Sequence, residues 1–190
     1  MTKVLSFTTE YFPSITSFSK VAEHASIAIQ ASENYQKNSL RNRCYLTGSQ
    51  GRFLLSVPLA SGKNQQQNIK DVRIAYDFDW ISQHLKTISN NYVKSPFFHH
   101  YFPNVSQILQ KKEKFLLDLN WEILCFLLQA YTYEKTISYD LVFEISKCNP
   151  IPRNLPPPYP QLFEAKTGFV AGLSVLDLLF CMGPTRKYFI

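Results

Sequence analysis

Residues 4–31 hold two short strand-like segments with a helical segment between them, a spacing that suits a parallel crossover and little else. Val4–Thr8 reads as a buried strand ended by a Tyr11-Phe12-Pro13 turn. Ile15, Phe18 and Val21 then recur at helical spacing behind Ser14, whose hydroxyl suits an N-cap. Ile27 and Ile29 alternate with Ser26, Ala28 and Gln30 at period two, which marks a second strand. Strand, helix, strand at this spacing predicts a βαβ unit, hence an α/β chain with a mixed, partly parallel sheet.

Further along, Arg43–Leu46 and Phe53–Pro58 flank the turn residues Gly48-Ser49-Gln50-Gly51 and read as a β-hairpin that Pro58 closes. Ser61–Asn68 is polar and glutamine-rich, a loop, and Ile69–Ala75 alternates as a further strand. Trp80, Ile81, Leu85, Ile88 and Tyr92 fit a helix over 80–92, and two more are predicted over Val105–Leu119 and Trp121–Ala130. The pattern thus changes from strands to helices near Asp77. Asn149–Gln161 holds six of the eleven prolines and is expected to run as an extended surface arm. A last helix opens at Ser174 and stops at Gly183-Pro184. The expected organisation is one domain over residues 1–190, strand-rich in 1–76 and helix-rich in 77–190, with the proline arm at 149–161.

The longest apolar run, Ile123–Leu128, is six residues against the ~20 that span a bilayer. Thr8, Thr9 and Glu10 interrupt the N-terminus before a signal-peptide core develops. A cytoplasmic location is expected. Cys44, Cys125, Cys148 and Cys181 are widely spaced, with no zinc-ligand pattern, and read as reduced thiols. The motifs name no cofactor and no metal: Gly-x-Gly-x-x-Gly, Walker and Gly-x-Ser-x-Gly signatures are missing, which argues against common NAD, ATP and serine-hydrolase chemistry.

The net charge of +6 is local. Between Glu33 and Asp71 no acid occurs, while Lys37, Arg41, Arg43, Arg52, Lys63 and Lys70 supply six positive charges. That favours an anion site over a basic face tracking nucleic acid. Lys37, Arg41, Asn42 and Arg43 form its strongest cluster, since guanidinium forks grip carboxylate or phosphate oxygens. In an extended segment Arg41 and Arg43 share a face; ordinary pairing with Glu10, Glu33 or Asp71 is the competing expectation. His84 falls on or beside the apolar face of its helix, as a base or as a packed histidine satisfied by a backbone carbonyl. His99-His100, amid Phe97-Phe98 and Tyr101-Phe102, suggests an aromatic loop. Asp177, inside an apolar helix, either caps that helix or anchors an arginine. Tyr159 and Gln161 contact a ligand or staple the proline arm to the body.

The ordered blocks Tyr11-Phe12-Pro13, Tyr35-x-Lys37-x-x-x-Arg41-Asn42-Arg43 and Leu55-Ser56-Val57-Pro58 resemble the WbqC-like protein family. So do His84-x-x-Thr87-Ile88-x-x-x-Tyr92, Ser95-Pro96-Phe97-Phe98, Tyr159-x-Gln161 and Leu173-Ser174-x-Leu176-Asp177-Leu178-Leu179-Phe180 with Gly183. The resemblance implies a bacterial protein of surface-polysaccharide (O-antigen-like) biosynthesis. Acyl or aminoacyl transfer to an amino-sugar nucleotide suits that setting, with His84 as base. Lys37, Arg41, Asn42 and Arg43 would bind the anion, joined by Tyr11, Tyr92, Gln161 and Asp177 from the family blocks. Where relatives carry His or Gln and paired acids, this chain has Thr9-Glu10 and Ser32-Glu33-Asn34, so a two-carboxylate metal cluster is not expected. The expected partner is a sugar nucleotide or other anionic small molecule. The rival roles are a non-catalytic module that docks a pathway protein, and RNA or tRNA binding.

Overall fold

A computed structural model of the chain describes residues 4–60, 67–132, 136–140 and 157–189. The first strand, β1 (Val4–Phe7), leads through α1 (Ile15–Glu23) into β2 (Ser26–Gln30), and the two strands pair in parallel, Leu5 opposite Ile27. Ile15, Phe18 and Val21 form the buried stripe of α1, and the Ser14 hydroxyl accepts from the Ser17 N–H as N-cap. The expected βαβ unit is therefore present. A third strand, β5 (Thr136–Asp140), pairs in parallel on the other side of β2, giving the order β1-β2-β5. The sheet is closed by a segment from the helical half, with Thr136, Ile137 and Tyr139 as its β-favouring residues.

The hairpin of β3 (Arg43–Gly48) and β4 (Gly51–Ser56) forms a separate antiparallel pair, with Arg43 opposite Ser56 and Gly48 opposite Gly51. Ile69–Ala75 is not a strand. Asn68 caps the Lys70 N–H and the Val72 N–H returns to the Ile69 carbonyl, so Ile69–Asp71 is a 3-10 turn; only isolated bridges follow, Ile74 to Leu59 and Arg73 to Phe115. A local side-chain cap outcompetes the period-two pattern.

Helix α2 (Trp80–Tyr92) has the expected limits, with Asp79 as N-cap. The next two helices do not: α3 runs Phe98–Gln110 and α4 runs Leu116–Ala130. Pro103 sits inside α3 on its exposed side. The break comes at Lys112, with φ of +56°, and is fixed from outside, since the Leu116 N–H donates to Val72 and the Ile74 N–H to Lys114. A short turn, α5 (Glu164–Thr167), precedes α6 (Val175–Met182), which ends at Gly183. Gly183 has φ of +69°, and a Cβ there would meet the Phe97 ring at 2.7 Å, so any other residue at that stop is strained and must displace the ring. The core gathers α1, the inner faces of the sheet and hairpin, and the apolar sides of α2, α3, α4 and α6. Among the described residues, no helix is long and apolar enough to cross a membrane.

The loop expected at 61–68 and the proline arm at 149–161 lie partly outside the described residues, at 61–66 and 149–156. At the arm's described end Tyr159 and Gln161 are buried, so this part packs into the body instead of running over the surface.

Candidate functional site

Because β1 and β2 are parallel, their carboxyl ends share one edge, the edge at which open α/β sheets seat ligands. Thr8, Thr9 and Glu10 follow β1 there, and Gln30 and Glu33 stand at the end of β2 and just beyond it. The Thr8 hydroxyl lies 3.0 Å from Gln30 Oε1 and 3.2 Å from Glu33 Oε2. Glu33 in turn accepts a two-pronged contact from Arg41, Nε at 2.9 Å and Nη2 at 2.6 Å, with both side chains largely shielded from water. Asn120 reaches in from α4, donating from Nδ2 to the Arg41 carbonyl at 2.7 Å, while its Oδ1 is buried without a hydrogen-bond partner.

Glu10 faces the same edge. Its carboxylate accepts from the Ser14 N–H at 3.1 Å and the Ser17 hydroxyl at 2.8 Å, which ties it to the first turn of α1. Desolvation raises its pKa above the ordinary carboxylate range, against the opposing pull of those hydrogen bonds and of the Arg41 and Lys20 charges. The edge thus holds a carboxyl of raised basicity, a guanidinium fixed by its own partner, and an amide oxygen left without a donor. Such a set suits proton transfer beside a developing charge.

The sequence-predicted residues fall into three groups. Leu40–Asn42 is a 3-10 turn, not the start of an extended segment, so Arg41 and Arg43 do not alternate onto a shared face. Arg41 is engaged by Glu33, the pairing that competed with the anion clamp. Asn42 is engaged too: it accepts from the Tyr35 hydroxyl at 2.9 Å and donates to the Val57 carbonyl at 2.8 Å. Arg43 is half-buried with its Nε unpartnered, and Lys37 is exposed.

The second group is His84 with Tyr11. His84 Nδ1 lies 3.0 Å from the Tyr11 hydroxyl, and the imidazole meets the Trp80 ring edge-to-face at 5.0 Å. Burial lowers the His84 pKa to about 4, opposed by a backbone hydrogen bond with Ser56, so the ring is neutral near pH 7.

The third group surrounds Asp177, which is 0% exposed. Among the described residues neither expectation for it fits, for its side chain caps no helix and touches no arginine. Tyr92 and Tyr159 each donate a hydroxyl to it at 2.5 Å, one to each oxygen, and the Tyr92 oxygen also accepts the Thr47 N–H at 3.0 Å. Burial raises the Asp177 pKa to about 6, against the pull of the two phenols. Gln161 pairs with the Val170 backbone in both directions at 2.8 Å. Tyr159 and Gln161 are thus staples of the arm.

Phe97–Phe102 is not a loop: Phe98–Phe102 belongs to α3, Phe98 stacks on Phe102 at 4.5 Å, and Phe98 and Tyr101 are buried. His99 and His100 alone of its polar groups face solvent. Cys44 and Cys181 are buried free thiols and Cys125 is a half-buried one; Cys148 lies outside the described residues. Among the described residues no group of three or more His, Cys, Asp or Glu side chains is placed to hold a metal.

The model of the WbqC-like protein family matches residues 9–149, about three quarters of the chain. The chain belongs to the WbqC-like protein family. The match opens at Thr9, on the sheet edge, and takes in Glu10, Glu33, Arg41 and Asn120. No curated protein and no solved structure matches the chain. In this WbqC-like chain Thr9, Glu10, Glu33 and Asn120 are candidate site residues that the sequence reading does not assign to a site. Two signals could have found them: their place immediately after strands of a βαβ unit, and, for Asn120, a lone amide between Leu119 and Trp121 in an apolar helix.

Proposed function

We propose that this WbqC-like chain is a transferase of bacterial surface-polysaccharide assembly, acting on an amine-bearing sugar nucleotide at the carboxyl edge of its parallel sheet. The observation that carries the proposal is Glu10, a carboxyl of raised basicity held beside Arg41 at the strand ends. In acyl or aminoacyl transfer the sugar amine attacks the carbonyl of an activated donor. A C–N bond forms, the ester or thioester C–O or C–S bond breaks with its electron pair going to the departing oxygen or sulfur, and the amine's proton passes by way of a base to that leaving group. Glu10 is the acceptor for that proton. Arg41, held in place by Glu33, supplies positive charge beside the reacting carbonyl without moving. Arg43 and Lys37, which make no ion pair among the described residues, are the cations that meet the nucleotide's phosphates. His84 stands behind this set at hydrogen-bond distance from the Tyr11 hydroxyl, and its lowered pKa makes it the weaker base near neutrality. RNA binding would need aromatic rings free to stack on bases among the basic residues of 35–53, and it loses support because Tyr35 is buried, Phe53 packs on the core and Tyr45 lies under Arg52 at 4.4 Å.

The test is a transfer assay with UDP-, dTDP- and GDP-linked amino sugars as acceptors and acyl-CoA or aminoacyl-tRNA as donors, read by mass spectrometry. A mass gain on the sugar that Glu10→Gln slows by about 100-fold or more is the expected result. Transfer undiminished in Glu10→Gln, or no transfer with any pair, contradicts the proposal.

A further inference from the structure

Between the start of α2 and the end of α3, the chain leaves an open cleft of about 370 Å³ that involves none of the strand-end residues. Tyr76, Asp77, Phe78 and Asp79 line one side, with Gln110 and Lys112 among its other lining residues. Two aromatic rings face solvent here, Phe78 at 53% exposure and Tyr76 at 37%. Tyr76 is fixed, not loose. Its hydroxyl donates to the Glu113 carbonyl at 2.6 Å, its ring stacks on Trp80 with centroids 6.0 Å apart and planes 28° from parallel, and Trp80 Nε1 donates to the Ala75 carbonyl. A rigid aromatic surface held open to water beside polar groups is the usual make-up of a small-molecule site.

The polar groups decide the ligand. Asp77, Asp79 and Gln110 offer carboxylate and amide oxygens at the margin of the rings, and Lys112 supplies the one cation in the lining. Flat aromatic faces match the C–H side of a pyranose ring, and the marginal oxygens match its hydroxyl protons. Two carboxylates against one ammonium repel a ligand that is itself acidic. We propose that this cleft binds a saccharide ring, neutral or amine-bearing, with Phe78 and Tyr76 as its stacking surface and Asp77 as a hydroxyl acceptor.

Saturation-transfer NMR on the full chain, in EDTA, with methyl glucoside, glucosamine, glucuronate and adenosine tests this. Methyl glucoside and glucosamine should bind in the millimolar range and glucuronate at least ~10-fold more weakly, following the charge argument; adenosine should also bind more weakly, because its planar base carries no hydroxyl protons for the marginal oxygens to accept. Phe78→Ala should abolish the signal and Asp77→Asn should weaken it; both side chains are exposed, and unchanged melting curves would confirm that the variants fold. Binding that survives Phe78→Ala, equal binding of glucuronate or adenosine, or no saccharide signal overturns the proposal. The readout needs neither nucleotide nor transfer, so its failure and that of the strand-end proposal are separable.

Discussion

Two shielded carboxylates, Asp177 and Glu10, show how differently one fold can treat the same functional group. Asp177 is sealed at 0% exposure and each of its oxygens is met by a phenol, so nothing is left to offer a ligand. Glu10 is only partly shielded and sits among cations, with the Arg41 and Lys20 charges acting on it. Both have raised pKa values from desolvation, so the shift alone does not separate a structural acid from a reactive one. Partial exposure among cations at a sheet edge does.

The largest effect should come from Asp177→Ala, which strands two buried phenols; a loss of about 3–5 kcal/mol in urea unfolding is expected. A loss under 1 kcal/mol would mean that the lock is ornamental and the contrast false. Arg41→Ala should come next, at about 3 kcal/mol, because Glu33 is left partly buried and unpaired.

The pH response separates the buried groups further. His84 has a pKa lowered from 6.5 to about 4, so the unfolded chain binds the extra proton first and stability falls as pH drops through that window. Asp177 is raised from 3.8 to about 6, so the folded chain binds its proton first and stability rises as pH drops from about 6 towards 3.8. Each is worth roughly 3 kcal/mol when fully developed, and the two oppose each other between pH 6 and 4. Asp177→Asn should therefore steepen the acid loss measured by urea midpoints at pH 6 and pH 4.5, and His84→Gln should reverse it. Parallel curves for wild type and both variants would contradict these assignments. Smallest of all is the stability effect of Glu10→Gln, about 1 kcal/mol, since the amide keeps one of the two contacts to α1.

Local pattern made much of this legible. The βαβ start, the hairpin, α2 and α6 follow from periodicity and from Ser14, Ser174 and Gly183 at their ends. What escaped depends on distant partners. Ile69–Ala75 has strand periodicity but obeys the Asn68 cap, and the break at Lys112 is held by backbone bonds to Val72 and Ile74. β5 gains its meaning only beside β2. The same limit governs the site. Lys37, Arg41, Asn42 and Arg43 are adjacent in sequence, yet Arg41 and Asn42 are engaged by Glu33, Tyr35 and Val57. Asp177 finds its partners 85 and 18 positions away, in Tyr92 and Tyr159. Sequence shows which groups are unusual, and their pairing shows which remain available.

The most direct test of that availability is thermal unfolding of the wild type, Glu10→Gln and Asp177→Asn against UDP-, dTDP- and GDP-amino sugars. A ligand at ~100 times its dissociation constant adds about 2.7 kcal/mol, a rise in midpoint of roughly 5–10 °C for a domain of this size. The account predicts that rise in the wild type and, from a lower baseline, in Asp177→Asn, with little or none in Glu10→Gln. An undiminished rise in Glu10→Gln, its loss in Asp177→Asn alone, or no rise in any protein would contradict a binding site at the strand ends.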